Sequence, residues 1–360
     1  MQVKKQPKHF SLQAGSEALA TIESEGFSED KVGSMIGASG GPKWLVLSAL
    51  DQWLAGEFFK QRTKPIYTLG SSAGAWRHIA YGVADNVAAL QRFESSYINQ
   101  RYETKPTPAE VSQEGRDILR HVLGASGIAE VVNNPVWKTN LSTVRSRGLL
   151  KQTNKLALGA GLLATGLGNM SSRQHLRFFF ERAVFSPGAG PGGDFHFNDF
   201  VTHQVPLTEA NLLEAVLASG SIPLVMEGVD EIEGAPPGMY RDGGFLDYHF
   251  DFNFDTPEGL VFYPHFYSHL SAGWFDKFAP WRQVPRSNLK NVLMLSPSES
   301  LVASMPGGKI PDRNDFKRLD NDQRIANWNK VVDLGRMMAD EFAEFVTQNR
   351  IPDVTHPLRG

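Results

Sequence analysis

Hydrophobic and polar positions in the first hundred residues alternate between two kinds of pattern, each punctuated by glycine. Val32–Ile36 is a short, partly apolar run that reads as a strand and enters the loop Gly37–Gly41. From Lys43 to Phe59, residues Leu45, Leu47, Leu50, Leu54 and Phe58 recur near helical spacing and predict a helix. Pro65–Leu69 predicts a second strand, which feeds the turn Gly70–Gly74; Ala75–Val83 and Val87–Tyr102 then predict two helices. Strand, glycine turn, helix, repeated, is the order of a parallel α/β sheet. The expected fold is therefore α/β, a three-layer α/β/α sandwich with a mainly parallel central sheet. Its functional residues belong beyond the C-terminal ends of the strands, where both turns fall.

The remainder is less regular. Residues 1–30 read as a polar arm followed by a helix at Glu17–Glu25. Ala109–Leu123 predicts a helix, and Val136–Val144 includes a strand. Leu156–Gly168, within the stretch Leu149–Met170, carries no charge; it is too short to span a bilayer and suits a buried or an interfacial helix. Ser186–Asp194 is a Pro/Gly loop. Phe200–Val205 predicts a strand, Glu209–Ser219 a helix ended by Ser221-Ile222-Pro223, and Gly238–Asp242 a short strand. Asn291–Leu295 is the last expected strand, and Arg324–Asn349 is an amphipathic helix. No repeat or linker interrupts the chain. The expectation is one domain over 1–360, with a mainly helical insertion at about 104–195 and a C-terminal helix at about 324–349.

Composition narrows the function classes. With 41% hydrophobic and 21% charged residues the chain is of globular type, and its net charge of -3 gives no support to nucleic-acid binding. The absence of cysteine removes disulfides, thiolate metal sites and a Cys nucleophile, and fits a cytoplasmic location. No apolar run follows the polar N-terminus, so no signal peptide is expected.

Three short motifs carry chemistry. In Gly70-Ser71-Ser72-Ala73-Gly74 a strand turns into a helix so sharply that only small flanking residues fit, which exposes the Ser72 hydroxyl. In Gly37-Ala38-Ser39-Gly40-Gly41-Pro42-Lys43 the backbone N–H groups of a glycine-rich turn at a helix start make an anion pocket, suited to a tetrahedral oxyanion. The phosphate-loop and dinucleotide patterns both fail there. In Tyr240-Arg241-Asp242-Gly243-Gly244 a carboxylate stands at a strand end while the backbone turns away. A hydroxyl needs a base to attack at neutral pH, and a partly buried Asp242 can serve. The bland reading of each is a surface or packing turn.

At these residues the chain resembles the patatin-like acyl hydrolases, whose motifs are Asp-Gly-Gly-Gly-x-Arg-Gly, Gly-x-Ser-x-Gly and Asp-Gly-Gly/Ala, in that order. The segment Ala218-Ser219-Gly220-Ser221-Ile222-Pro223 is similar to a fourth family segment, Ala-Ser-x-Ala-x-Pro. The matching segments cover about 30–90 and 195–250. The resemblance implies a patatin-like fold and a Ser–Asp dyad with no histidine. Ser72 would be the nucleophile, Asp242 the base, and Gly40 and Gly41 the oxyanion donors. The chain departs from the pattern at Ala38 and Ser39, at Lys43 in place of Arg, and at Trp44 in place of the last Gly. Lys43 keeps a cation near the pocket but loses the planar fork of Arg.

The expected substrate is a lipid ester, such as a phospholipid or acylglycerol. Phe178–Phe180 among Arg173, Arg177 and Arg182 forms a pattern suited to peripheral contact with a membrane surface and its phosphates. Leu156–Gly168 would form a cap or line an acyl groove, and Trp274, Phe275, Phe278 and Trp281 form another aromatic cluster; ordinary core is the competing reading for all of these. No metal or other cofactor is expected: His265 and His269 lack the zinc-protease Glu, and Asp251 and Asp255 lack a calcium-loop pattern. Two rival readings stand. One is a His-dependent esterase that draws its base from His78, His121, His175, His196, His203, His249, His265, His269 or His356. The other is a non-catalytic lipid-binding protein that kept the fold.

Overall fold

The computed structural model describes residues 6–188, 195, 197–253, 259–279 and 281–358. Its eleven strands belong to one sheet. They are β1 (Phe10–Ala14), β2 (Val32–Gly37), β3 (Ile66–Ser71), β4 (Trp137–Ser146), β5 (Phe180–Pro187), β6 (Thr202–Leu207), β7 (Val229–Asp230), β8 (Met239–Asp242), β9 (Leu260–Pro264), β10 (Val292–Pro297) and β11 (Thr355–Pro357). The helices are α1 (Ser16–Glu25), α2 (Ser48–Trp53), α3 (Ala73–Tyr81), α4 (Asn86–Ile98), α5 (Pro108–Leu123), α6 (Gly127–Asn133), α7 (Lys155–Ser171), α8 (Leu212–Ser219), α9 (Glu299–Ser304), α10 (Asp315–Arg318), α11 (Asn321–Thr347) and α12 (Ile351–Val354).

The sheet runs β11-β1-β10-β9-β2-β3-β4-β5-β6, and its central run from β10 to β4 is parallel throughout. Helices flank it, as the fold-class expectation holds. Strands β2, β9 and β10 are buried along their whole length, as parallel strands covered on both faces must be.

Four expectations need correction. The polar arm ends early: Phe10, Leu12 and Ala14 alternate inward as β1, a period-2 signal hidden beside the lysines. Asn291–Leu295 is not the last strand, because the chain returns after α11 and lays β11 parallel to β1. The helix expected over Lys43–Phe59 is a 3₁₀ segment at Gly41–Leu47, then α2, then a π turn at Leu54–Phe58. Trp44, Leu45, Val46 and Leu47 are all buried, so this segment is covered on several sides and no single apolar stripe sets its pitch. Finally, residues 104–195 hold α5, α6 and α7 but also β4 and β5, which lie inside the sheet rather than apart from it. Glu181 and Arg182, buried in β5 by ion pairs, disguise that strand in the sequence. Of the Pro/Gly loop, Ser186 and Pro187 close β5, and 189–194 lie outside the described residues. His196 and Asp255 lie outside them as well.

Strand β4 is the ruler that builds the site. Its first half pairs with parallel β3, ending at Ser71 opposite Ser142. Its next residue, Thr143, pairs with Asp242, the end of antiparallel β8. The other edge of β4 is taken by β5. Strands β3 and β8 therefore share one lane, run toward each other and stop end to end. The residue after β3 is Ser72, and the last residue of β8 is Asp242.

Candidate active site

Ser72 sits at φ 54° and ψ -126°, a backbone conformation unfavourable for a residue with a Cβ. The turn is held by close packing: a Cβ on Gly74 would lie 2.0 Å from the carbonyl oxygen of Gly37, so α3 starts directly against the end of β2. The Ser72 N–H donates to Ser219 Oγ at 2.9 Å, and Ser219 donates on to the Ser142 carbonyl at 2.7 Å. Ser219 ends α8 within the segment singled out in the sequence, and it ties the turn to β4.

The Ser72 hydroxyl donates to Asp242 Oδ2 at 2.9 Å, across 170 positions of chain. The other carboxylate oxygen accepts from Gly244 N–H at 2.8 Å. Both side chains are buried. Burial pushes the Asp242 carboxyl above its ordinary pKa; the Gly244 N–H, the Arg313 charge and the Ser72 hydroxyl pull the other way. The carboxylate is thus a stronger proton acceptor than a solvated Asp, aimed at one hydroxyl.

Behind the Asp242 turn stands a buried ionic anchor. Asp247 accepts two bonds from Arg182 at 2.8 and 2.7 Å and one from the Ser142 hydroxyl at 2.5 Å. Arg182 also holds Asp199, whose pKa is lowered to about 2: burial raises it, and the arginine overcomes that. The turn after Asp242 is fixed to β4 and β5 by this network. Arg182, expected to face lipid phosphates, is spent inside the protein, and Arg173 pairs with Asp199 and Asp276.

The glycine loop lies beside both groups. Ser39 Oγ donates to Ser71 Oγ at 2.9 Å, and Ser39 N–H donates to the Tyr248 carbonyl at 2.8 Å. Gly41 adopts φ 56°, which only glycine takes freely. Among the described residues, no acceptor takes the N–H of Gly40 or Gly41. Trp44, where the resembling motif has Gly, is fully buried and stacks on Phe93 with ring centroids 4.3 Å apart, anchoring the loop to α4.

Three cations converge on this loop. Lys43 Nζ is 3.5 Å from the Gly40 carbonyl, and burial, opposed by Asp312, lowers its pKa to about 8. Arg313 reaches over the loop, with its Cγ 3.1 Å from where a Cβ on Gly41 would stand. Lys277 places Nζ 3.9 Å from the Tyr248 ring centroid. Although that residue is exposed overall, desolvation of its ammonium end, then Lys43 and Arg313, lower its pKa to about 7. Arg313 and Lys277 both act on Asp242 through their charge. Among the described residues none of the three has a carboxylate within ion-pair distance. Sequence reading missed Lys277 and Arg313. The first lay in a flagged aromatic cluster; the second had no local signal.

Of the histidines offered as a base, none among the described residues hydrogen-bonds Ser72. His78 and His249 are buried and held far below the ordinary histidine pKa, and His265 falls to about 3, all by desolvation first. A buried neutral His78 has neither ring nitrogen bonded.

No family model matches the chain, and no curated protein matches it. Among solved structures the chain is similar to VipD from Legionella pneumophila. The identity is 14% and the TM-score 0.32, over 73% of this chain and 55% of that one. The chain therefore spans about half the length of that protein.

Proposed function

We propose that this protein is a serine acyl hydrolase that cleaves carboxylic esters of lipids with a Ser–Asp dyad. The observation that carries the reading is the 2.9 Å hydrogen bond from Ser72 Oγ to Asp242 Oδ2 at a strained strand-to-helix turn. Ser72 Oγ attacks the ester carbonyl carbon as its proton passes to Asp242. The carbonyl oxygen becomes an oxyanion, taken by the N–H groups of Gly40 and Gly41 in the field of Lys43, Lys277 and Arg313. The intermediate collapses, the alcohol leaves with the proton from Asp242, and the acyl group stays on Ser72. Water then gives a proton to Asp242 and attacks the acyl carbon. A second collapse returns the proton to Ser72 and releases the carboxylic acid.

The test is a hydrolysis panel of p-nitrophenyl esters and phospholipids, with fluorophosphonate labelling of Ser72. The expected result is turnover and labelling in the parent, and a loss of at least about 1000-fold in Ser72→Ala and Asp242→Asn with folding intact. An unlabelled, inactive parent would leave a lipid-binding protein. Loss of activity in a variant of a single histidine, with the fold kept, would replace the dyad by a triad.

A further inference from the structure

Helix α7 and its neighbours present an apolar face to solvent. Along α7, Leu158, Gly161, Thr165 and Asn169 are buried, one stripe at helical spacing. The opposite stripe carries Leu156, Leu163 and Leu167. Phe178, Phe278 and Trp281 extend that surface from segments packed against α7 or tied to it. The six are between 59% and 85% exposed. Phe178 ends the 3₁₀ turn Arg173–Phe178, and Phe278 ends the 3₁₀ turn Trp274–Phe278; both turns pack on α7. Trp281 precedes Arg282, which donates to the Asn169 carbonyl at 2.9 Å. Isolated exposed apolar side chains are ordinary, but half of the large exposed ones among the described residues gather here.

The exposed charges of the segment that carries α7 have one sign. From Arg147 to Phe178 the chain has Arg147, Lys151, Lys155, Arg173 and Arg177 and no acidic residue. Lys151, Lys155 and Arg177 are exposed and have no carboxylate partner among the described residues. Apolar side chains and an exposed Trp ringed by unpaired cations match an anionic bilayer, which offers acyl chains below and negative headgroups above. A protein partner would have to supply apolar surface and carboxylates together, whereas an anionic bilayer carries both in one surface. The face also adjoins the site: the turn Trp274–Phe278 carries Lys277, and Phe245, three residues after Asp242, packs on Trp274 and Phe275.

We infer that the α7 face docks this protein on anionic lipid membranes, with Leu163 and Leu167 entering the acyl-chain boundary. The inference rests on the lipid-hydrolase reading only for its purpose; the surface stands without it. The 360-residue chain carrying Ser72→Ala is sedimented with phosphatidylcholine vesicles and with vesicles containing equal phosphatidylglycerol, so that binding is read without hydrolysis. The expected result is retention on the anionic vesicles, at least tenfold weaker in 0.5 M salt and at least tenfold weaker with Leu163→Glu and Leu167→Glu together. Hydrolysis of a water-soluble ester by that double variant in the Ser72 background stays unchanged. Three outcomes overturn the inference: no retention on anionic vesicles, equal retention of the double variant, or a solution dimer that the double variant dissolves, which assigns the face to a second copy. Failure of the hydrolase reading would instead appear as an inactive parent toward soluble esters with vesicle binding intact.

Discussion

Glycine crowds two regions of this molecule for opposite reasons. At the strand ends around Ser72, glycine marks backbone pressed against backbone: a Cβ on Gly74 would meet the Gly37 carbonyl at 2.0 Å. Along α7, Gly159 has nothing within 4 Å of its missing Cβ, and Gly166 has only the Phe275 ring at 3.6 Å. In the first region the small residue makes the geometry possible. In the second it weakens a helix whose outer face packs on nothing among the described residues. The electrostatics differ in the same way. The site buries Asp242 and gathers three cations without carboxylate partners among the described residues, whereas the α7 face leaves Lys151, Lys155 and Arg177 in water.

Substitutions sharpen the contrast. Gly74→Ala has the largest expected effect, more than about 4 kcal/mol of stability or failure to fold, since the atoms a Cβ would meet are all backbone of Gly37. Thermal unfolding measures it, and a folded, active Gly74→Ala protein would break the close-approach argument. Next comes Asp247→Ala, which leaves the buried Arg182 with Asp199 as its one carboxylate partner among the described residues and frees the turn after Asp242. Its expected cost is about 3 kcal/mol, with kcat falling more than KM rises. Denaturant unfolding and steady-state kinetics give the two readouts; a loss of stability with unchanged kcat would deny Asp247 any positioning role.

The pH profile comes third. In the proposed mechanism Asp242 must be ionised to accept a proton, and its pKa is raised, so activity is expected to fall on the acid side from a higher pH than an ordinary aspartate would give. Lys277 near 7 and Lys43 near 8 must be protonated to favour an oxyanion, so activity declines again as pH rises through those values. Lys277→Met should lower kcat/KM by about tenfold, roughly 1.4 kcal/mol of barrier, and remove the part of the alkaline limb near neutrality. An unaltered alkaline limb in that variant would exclude Lys277 from the field at the site. The smallest effect is a gain. Gly159→Ala should stabilise α7 by about 0.5–1 kcal/mol, read as a small rise in Tm, because the added methyl meets only solvent. A fall in Tm would mean that α7 packs more tightly than the open space at Gly159 indicates.

The residues of the candidate site were legible through local necessity. A strained turn needs small neighbours, so Gly70, Ala73 and Gly74 announce Ser72. A carboxylate at a strand end needs a backbone that leaves quickly, so Gly243 and Gly244 announce Asp242. Legibility failed where neighbours decide the outcome. Arg182 looked like a lipid-facing charge because its partners Asp199 and Asp247 are distant in the chain. The triplet Phe178–Phe180 looked like one feature, but Phe180 stacks on Phe245 in the core while Phe178 faces out. Strand β5 was hidden because its buried Glu181 and Arg182 are tolerated only when paired.

The amino-acid order alone determined the alternation of strands and helices, the two sharp turns and the chemical character of their side chains, since these depend on residues a few positions apart. It left open whether Ser72 and Asp242 meet, which cations stand over them and whether Leu156–Gly168 is inside or outside. Those were decided by pairing on β4, where β3 and β8 end against each other, and by how much surface the sheet and its helices could cover. Such contacts join segments distant in the chain, Ser72 and Asp242 being 170 positions apart, and they exist only once the sheet has formed.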